Sequence, residues 1–151
     1  MTTSNKFIVE RTVVGYSNTA LGATYGDVTG LSWYGKAGDV YKFKATVVYD
    51  ASVTTEGAAF SISGPASPTV LAYTSIASTM ATEYGNAYDL PAAAPGDSVF
   101  VTDNIATVEG IISPSSDGTI SIRGIKSGGT MTVQGTSSVL TWSRLDWPDQ
   151  P

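Results

Sequence analysis

The residue types that most often carry out catalysis are missing from this sequence. Histidine and cysteine are both absent, which removes the commonest general base, the thiolate nucleophile and the zinc–thiolate site together. A serine nucleophile would have to pair with a lysine, and no pattern among the many serines selects such a pair. The sequence therefore predicts that the protein is not an enzyme.

Acidic side chains are the remaining candidates for catalytic chemistry. The chain has thirteen Asp and Glu residues, and a glycosidase needs only two of them about 5–10 Å apart. Aspartate commonly hydrogen-bonds to its own backbone in turns. This is the position of Asp39, Asp50, Asp97 and Asp117 in the predicted turns. A role in turns explains these acids better than paired acid–base chemistry does.

Two short segments have a superficial similarity to ligand sites. Asp97 and Asp103 flank a predicted strand, but Ca²⁺ needs three or more clustered oxygen ligands and the EF-hand spacing is absent. In KSGGT at residues 126–130 the lysine precedes the glycines and no helix follows. This order predicts a hairpin turn and not a phosphate-binding loop. We expect no metal and no cofactor.

Composition limits the classes of partner. Charged residues make up 14% of the chain and the net charge is −5, and the eight Lys and Arg residues form no stripe that could follow a phosphate backbone. No apolar run approaches the length of about 18 residues that a membrane span requires. We therefore expect a soluble, unprocessed protein that binds neither nucleic acid nor membrane and, lacking cysteine, can fold in a reducing cytosol.

The pattern of apolar residues predicts strands almost everywhere. Residues 40–50 alternate most clearly, with Tyr41, Phe43, Ala45, Val47 and Tyr49 on one face. Further strands are predicted at residues 6–14, 29–34, 57–63, 69–77, 98–102, 130–134 and 137–145. Residues 78–95 combine helix-favouring Ala and Met with prolines, which predicts a loop with a helical turn.

Residues 104–123 read as a long β-hairpin. Two runs of β-branched residues are joined by a turn that contains Pro114, Asp117 and Gly118, and the glycine is predicted in the left-handed conformation. Gly64, Pro65 and Pro68 form a second, rigid turn, because proline cannot donate to a sheet. These features predict an all-β fold, a single-domain antiparallel β-sandwich at residues 27–145, between an N-terminal strand or arm (1–26) and a C-terminal tail (146–151).

Apolar residues near both ends are candidates for binding a partner. They are Phe7, Ile8, Val9, Trp142 and Trp147. The first three could belong to an arm that reaches a neighbouring subunit, or to a first strand within their own sheet. A trimer would bury such groups between copies, and a monomer would bury them internally.

Several segments resemble a family of virion domains from tailed bacteriophages, found in head decoration proteins and in tail-fibre proteins. The resemblance covers residues 27–134, and its segments are DVTGL at 27–31, GDVYKF at 38–43, GPASP at 64–68, ATVEGII at 106–112 and PSSDGT at 114–119. These segments set turns and strands and include no catalytic signature.

The resemblance implies a β-sandwich of jelly-roll type that assembles as a homotrimer on a virus particle. In the fibre proteins long segments precede this domain, whereas here a start methionine lies shortly before the matching segments. This difference favours a capsid decoration (cement) protein that is assembled in the host cytoplasm, binds the major capsid protein and stabilises the head shell. The alternative is a tail-fibre or head-fibre domain that recognises a receptor on the host cell surface, through exposed aromatic residues such as Tyr84, Tyr88 or Trp147.

Overall fold

A computed structural model of the chain describes residues 10–78 and 81–145. These residues form eleven β-strands and one short 3₁₀ helix, Gly135–Ser137. The strands are β1 (Glu10–Val14), β2 (Thr19–Ala20), β3 (Gly26–Gly35), β4 (Val40–Ala51), β5 (Ala58–Ser63), β6 (Val70–Ala77), β7 (Glu83–Gly85), β8 (Asn104–Ser113), β9 (Gly118–Lys126), β10 (Met131–Val133) and β11 (Val139–Leu145). The predicted all-β fold is confirmed.

The strands form two antiparallel sheets. The large sheet has the order β1-β11-β4-β8-β6-β7, with β10 pairing to both β4 and β2, and the small sheet has the order β3-β9-β5. The two sheets are consistent with a β-sandwich, as predicted from the sequence. Its jelly-roll connectivity stays a prediction.

The core lies between the two sheets, because strand residues alternate between a face that contacts the other sheet and a face that contacts solvent. All five apolar residues of the predicted face on β4 are buried, from Tyr41 to Tyr49. The ring centroids of Tyr49 and Phe60 lie 5.5 Å apart, and Phe60 belongs to the small sheet. The alternation in β4 thus identified the core correctly.

The predicted hairpin at residues 104–123 is wrong. β8 pairs with β4 and β6 in the large sheet, whereas β9 pairs with β3 and β5 in the small sheet. The turn between them therefore carries the chain from one sheet to the other. Both strands are central in their sheets, so each already has two partners and no free edge to offer the other.

Two further predictions of secondary structure are also wrong. Residues 98–102 form an irregular loop, not a strand, although Val101 O accepts a hydrogen bond of 3.0 Å from the Ala51 N–H. Within the described part of residues 78–95 there is no helical turn, and the short strand β7 pairs with β6 instead. The pairing brings Gly85 opposite Tyr73, and a Cβ at Gly85 would collide with the Tyr73 ring.

The first two strands, β1 and β2, belong to the large sheet. β1 pairs with β11, and β2 pairs with β10. β1 and β2 are therefore strands of the chain's own large sheet, and the choice between an arm and a strand for residues 7–9 stays a prediction. Phe7, Ile8, Val9 and the tail at 146–151 lie outside the described residues.

Candidate functional site

The predicted turn residues meet at one end of the sandwich, which we call the turn end. There β4 begins at Val40, β8 ends at Ser113 and β9 begins at Gly118. Around the 114–118 turn, the Gly38 N–H donates to Pro114 O at 2.9 Å and the Ser115 hydroxyl donates to Ala66 O at 3.0 Å. Gly64, Pro65 and Pro68 thus lie beside Pro114, Asp117 and Gly118, and the turns support one another.

Asp117 fixes this end through its carboxylate. Its Oδ1 accepts a hydrogen bond of 2.8 Å from the Ala37 N–H, and its Oδ2 lies 3.4 Å from the Lys36 ammonium. The backbone hydrogen bond from Ala37, with help from Lys36, holds the pKa of Asp117 below its ordinary value. Asp117 therefore ties the 114–118 turn to the loop before β4 through Ala37, and not to its own backbone as its sequence position predicts.

Gly118 is required for a reason other than the predicted one. It is not among the glycines at positive φ, which are Gly30, Gly38 and Gly129. A Cβ at Gly118 would instead lie 2.8 Å from Cγ of Pro65. The expected left-handed turn is wrong, and close approach of the two turns explains the glycine.

Of the predicted partner-binding residues, only Trp142 is described. It is half-buried and stacks on Trp33, with ring centroids 5.6 Å apart and an interplanar angle of 12°. Trp142 therefore contributes to the aromatic packing between the sheets, and its role in binding a partner stays a prediction. Glu10 and Leu145, which adjoin the undescribed termini, both lie towards the turn end, since Leu145 pairs with Val40 and Glu10 pairs with Ser143.

A groove of about 600 Å³, which we call the polar groove, runs over β1, β11, β4 and β8 in the large sheet, and Phe43, Trp142 and Leu145 are its apolar lining residues. Its charged and hydroxyl-bearing lining residues are Glu10, Lys42, Lys44, Glu109, Thr141 and Ser143. Lys44 stands directly opposite Glu109 on one side and Thr141 on the other. The mixed charges and hydroxyl groups suit a polar ligand.

Three consecutive large apolar residues are exposed at the opposite end, which we call the loop end. β4 ends there at Ala51 and β8 begins at Asn104. Val99, Phe100 and Val101, which we call the apolar loop, are 45%, 59% and 52% exposed. Ile105 at the start of β8 and Ile76 on β6 are exposed as well. The apolar side chains that the sequence assigned to a strand are thus presented to solvent.

Asn104 holds the apolar loop in place. This side chain is buried, and its Oδ1 accepts hydrogen bonds from the Val99 and Phe100 N–H groups at 3.1 and 3.0 Å. Its Nδ2 donates to Phe100 O at 2.6 Å. A loop tied so closely to the core keeps its apolar groups exposed instead of collapsing them inward. The sequence signal was Asn104 itself, a turn-forming residue at the start of an aliphatic strand.

Acidic groups surround the apolar loop. Asp50 Oδ1 accepts hydrogen bonds from the Asp103 N–H at 2.9 Å and from Gln134 Nε2 at 2.7 Å, and Gln134 also donates to Asp103 at 3.1 Å. Glu56 accepts from the Ser127 hydroxyl at 2.6 Å. These partners are all uncharged, so they hold Asp50, Asp103 and Glu56 in place without neutralising their negative charges.

The described residues contain no group of three or more acidic side chains that could hold a metal ion. Lys126 in the KSGGT segment donates to Gly129 O at 2.6 Å, which makes it part of the turn. No helix within residues 10–78 and 81–145 has the length and apolarity that a membrane crossing needs.

Comparisons with known proteins give little further information. No protein-family model matches the chain, and no curated protein matches it. Among solved structures, weak similarity is found to the structure of infectious bursal disease virus Gt strain, at 11% identity and a TM-score of 0.26, and to that of the Gx strain, at 12% and 0.25. The matches cover 93% of this chain but only 38% and 36% of those chains. The chain thus spans a little over a third of their length, and TM-scores this low do not establish a shared fold.

Proposed function

We propose that the protein is a virion structural protein of a tailed bacteriophage, a capsid decoration (cement) protein that binds the head shell as a homotrimer and stabilises it. The observation that carries this proposal is the apolar loop. Val99, Phe100 and Val101 are exposed on a loop that the buried Asn104 holds in place. Exposed apolar groups on a preformed loop are typical of a surface that another protein covers.

The two ends of the sandwich suit two different contacts. The loop end would contact the major capsid protein, and the termini, which adjoin Glu10 and Leu145 towards the turn end, would contact other copies through Phe7, Ile8, Val9 and Trp147. Burial of one large apolar side chain contributes about 1.5–3 kcal/mol before the cost of association. A trimer presents the same loop three times, so avidity strengthens weak individual contacts.

The resemblance of residues 27–134 to phage virion domains supports the same class of function. The proposal includes no catalytic activity, no cofactor, and no nucleic-acid or membrane partner. It locates the protein on the capsid surface of the virion, after assembly in the host cytoplasm.

The polar groove favours a second candidate, a fibre domain that recognises a host receptor. Glu10, Glu109, Thr141 and Ser143 could hydrogen-bond to the hydroxyl groups of a surface glycan, and Lys42 and Lys44 could bind its acidic substituents. Tyr84 is strongly exposed on β7, whereas the Tyr88 hydroxyl donates to Pro65 O at 2.8 Å and is half-buried. Tyr84 is therefore the better of the two tyrosines as a receptor contact.

Light scattering and cosedimentation test the proposal. The chain has a mass of 15.6 kDa, so a trimer has a mass of about 47 kDa, three times that of the chain. We expect this mass in solution and cosedimentation with purified phage heads that lack the protein. A monomer at high concentration that leaves the heads uncoated would contradict the proposal, and binding to host cells instead would favour the fibre domain.

A further inference from the structure

We infer that the apolar loop docks onto a protein surface with an apolar centre and a rim of Lys and Arg side chains. The identity of that partner, the head shell, rests on the proposed function. The chemistry of the partner surface is inferred from the residues of the loop end alone. The apolar centre matches Val99, Phe100 and Val101. The basic rim follows from the charges that surround them.

The loop end carries an excess of negative charge. Asp50, Glu56, Asp97 and Asp103 all belong to the loops and strand ends there, and Lys126 is the basic residue among them. The ion pairs within residues 10–78 and 81–145 include Lys36–Asp117, Arg123–Asp27, Arg123–Asp89 and Arg144–Asp39. Asp50, Glu56 and Asp103 take part in none of these pairs, so their charges remain available to a partner.

Hydrogen bonds fix these acids beside the apolar loop. Asp50 and Asp103 share the Gln134 amide, and the Ala51 N–H binds Val101 O. On the other side, the Ser98 N–H binds Thr54 O and the Ser98 hydroxyl binds Glu56 O at 2.7 Å. The chain on both sides of the loop is thus tied to the segments that bear the acids. Because apolar and acidic groups keep one arrangement, a complementary partner loses little entropy in matching them.

A second copy is a poor occupant of this surface. In a symmetric contact through the loop end, the acids of one copy would face those of the other. Like charges brought together at an interface cost binding energy, whereas basic groups on a foreign surface would be attracted by the same acids. The net charge of −5 adds to the repulsion between copies. Charge complementarity therefore selects a basic partner.

Binding to two probes tests the inference. The probes are purified heads that lack the protein and an immobilised peptide of alternating Leu and Lys, with Ser/Lys and Leu/Glu peptides as controls. The full chain is compared with Phe100→Ser, Glu56→Gln and Asp103→Asn. Tyr34→Ser is the matched control for Phe100, because both side chains are 59% exposed. Asp39→Asn, which removes an equal charge at the turn end, is the control for the acids.

The Leu/Lys peptide should bind more tightly than either control peptide. Phe100→Ser should weaken binding to both probes by about tenfold or more, as at the centre of an interface. Each of Glu56→Gln and Asp103→Asn should weaken it by about two- to fivefold, and the loss should shrink at high salt. Tyr34→Ser and Asp39→Asn should have no such effect.

The outcomes separate the inference from the proposed function. Head binding that responds equally to the test and control variants overturns the inference and leaves the decoration role intact. Peptide binding with the expected pattern, in the absence of head binding, overturns the decoration role and keeps the inferred chemistry. Equal binding to the Leu/Lys and Leu/Glu peptides overturns the basic rim, and failure to bind either probe overturns both.

Discussion

Replacing Asn104 by alanine should destabilise the fold and release the apolar loop. The Asn104 side chain is 2% exposed and bonds to the backbone of Val99 and Phe100. It also accepts a hydrogen bond of 3.2 Å from the Ser78 hydroxyl. Alanine cannot replace any of these bonds, so the backbone groups of the loop lose their partner.

The structure sets the size of the effect. Ser78 keeps its hydrogen bond with the Tyr49 hydroxyl, so the main losses are two N–H donors and the Phe100 carbonyl acceptor. A typical hydrogen bond contributes about 0.5–1.5 kcal/mol net. Three such bonds give an expected loss of about 2–4 kcal/mol in the free energy of unfolding. With a urea dependence of about 2 kcal/mol per molar, the unfolding midpoint should fall by about 1–2 M.

Urea unfolding and amide hydrogen exchange together measure both effects. Asn86→Ala is the control, because Asn86 is exposed in the loop after β7, and it should change stability by less than about 0.5 kcal/mol. In Asn104→Ala the Val99 and Phe100 amides should exchange much faster than in the parent protein. An unchanged midpoint together with unchanged exchange at these two amides would refute the role that we give to Asn104.

Three further predictions concern the turn end, the buried tyrosines and catalysis. Gly118→Ala should lower the unfolding midpoint because its Cβ meets Pro65, and Pro65→Ala should recover most of that loss; a loss that persists in the double variant would exclude the steric explanation. Burial raises the pKa of Tyr25, Tyr41, Tyr49, Tyr73 and Tyr88. These tyrosines therefore ionise more readily in the unfolded chain than in the folded one. The free energy of unfolding should keep its full value below the ordinary tyrosine pKa of 10.0 and should fall as the pH rises above that pKa. Urea unfolding between about pH 9 and 11.5 measures this, and a flat profile would contradict it. Purified protein should show no turnover on a panel of glycan, peptide and ester substrates. Turnover by the parent protein that disappears when a single Asp or Glu is mutated would contradict this prediction.

Local pattern predicted the strands better than it predicted their pairing. The alternation in β4 placed Tyr41 to Tyr49 in the core, and strands were correctly expected around β3, β5, β6 and β11. The turn at Pro114 and Gly118 was also correctly located. Turn residues show that the chain reverses direction, but they do not specify whether the next strand pairs with the previous one or crosses to the opposite sheet. The hairpin prediction failed for this reason.

The candidate site was the least predictable part of the molecule. Val99, Phe100 and Val101 have the composition of a strand, and only tertiary contacts exclude them from the sheets. The buried amide of Asn104 organises a loop over a distance of four to five residues, and a periodicity of two residues cannot reveal such a contact. The reason for a glycine at position 118 was equally hard to predict. A Cβ there would collide with Pro65, which lies more than fifty residues away in the sequence.

Electron cryomicroscopy of the native phage particle tests the decoration role most directly. A reconstruction with and without three-fold averaging, compared between particles with and without this protein, would reveal where it sits. We predict three-fold density on the outside of the head shell, with the loop end towards the shell, that disappears when the protein is absent. Density at a tail or head fibre and a head surface identical in both particles would contradict the account.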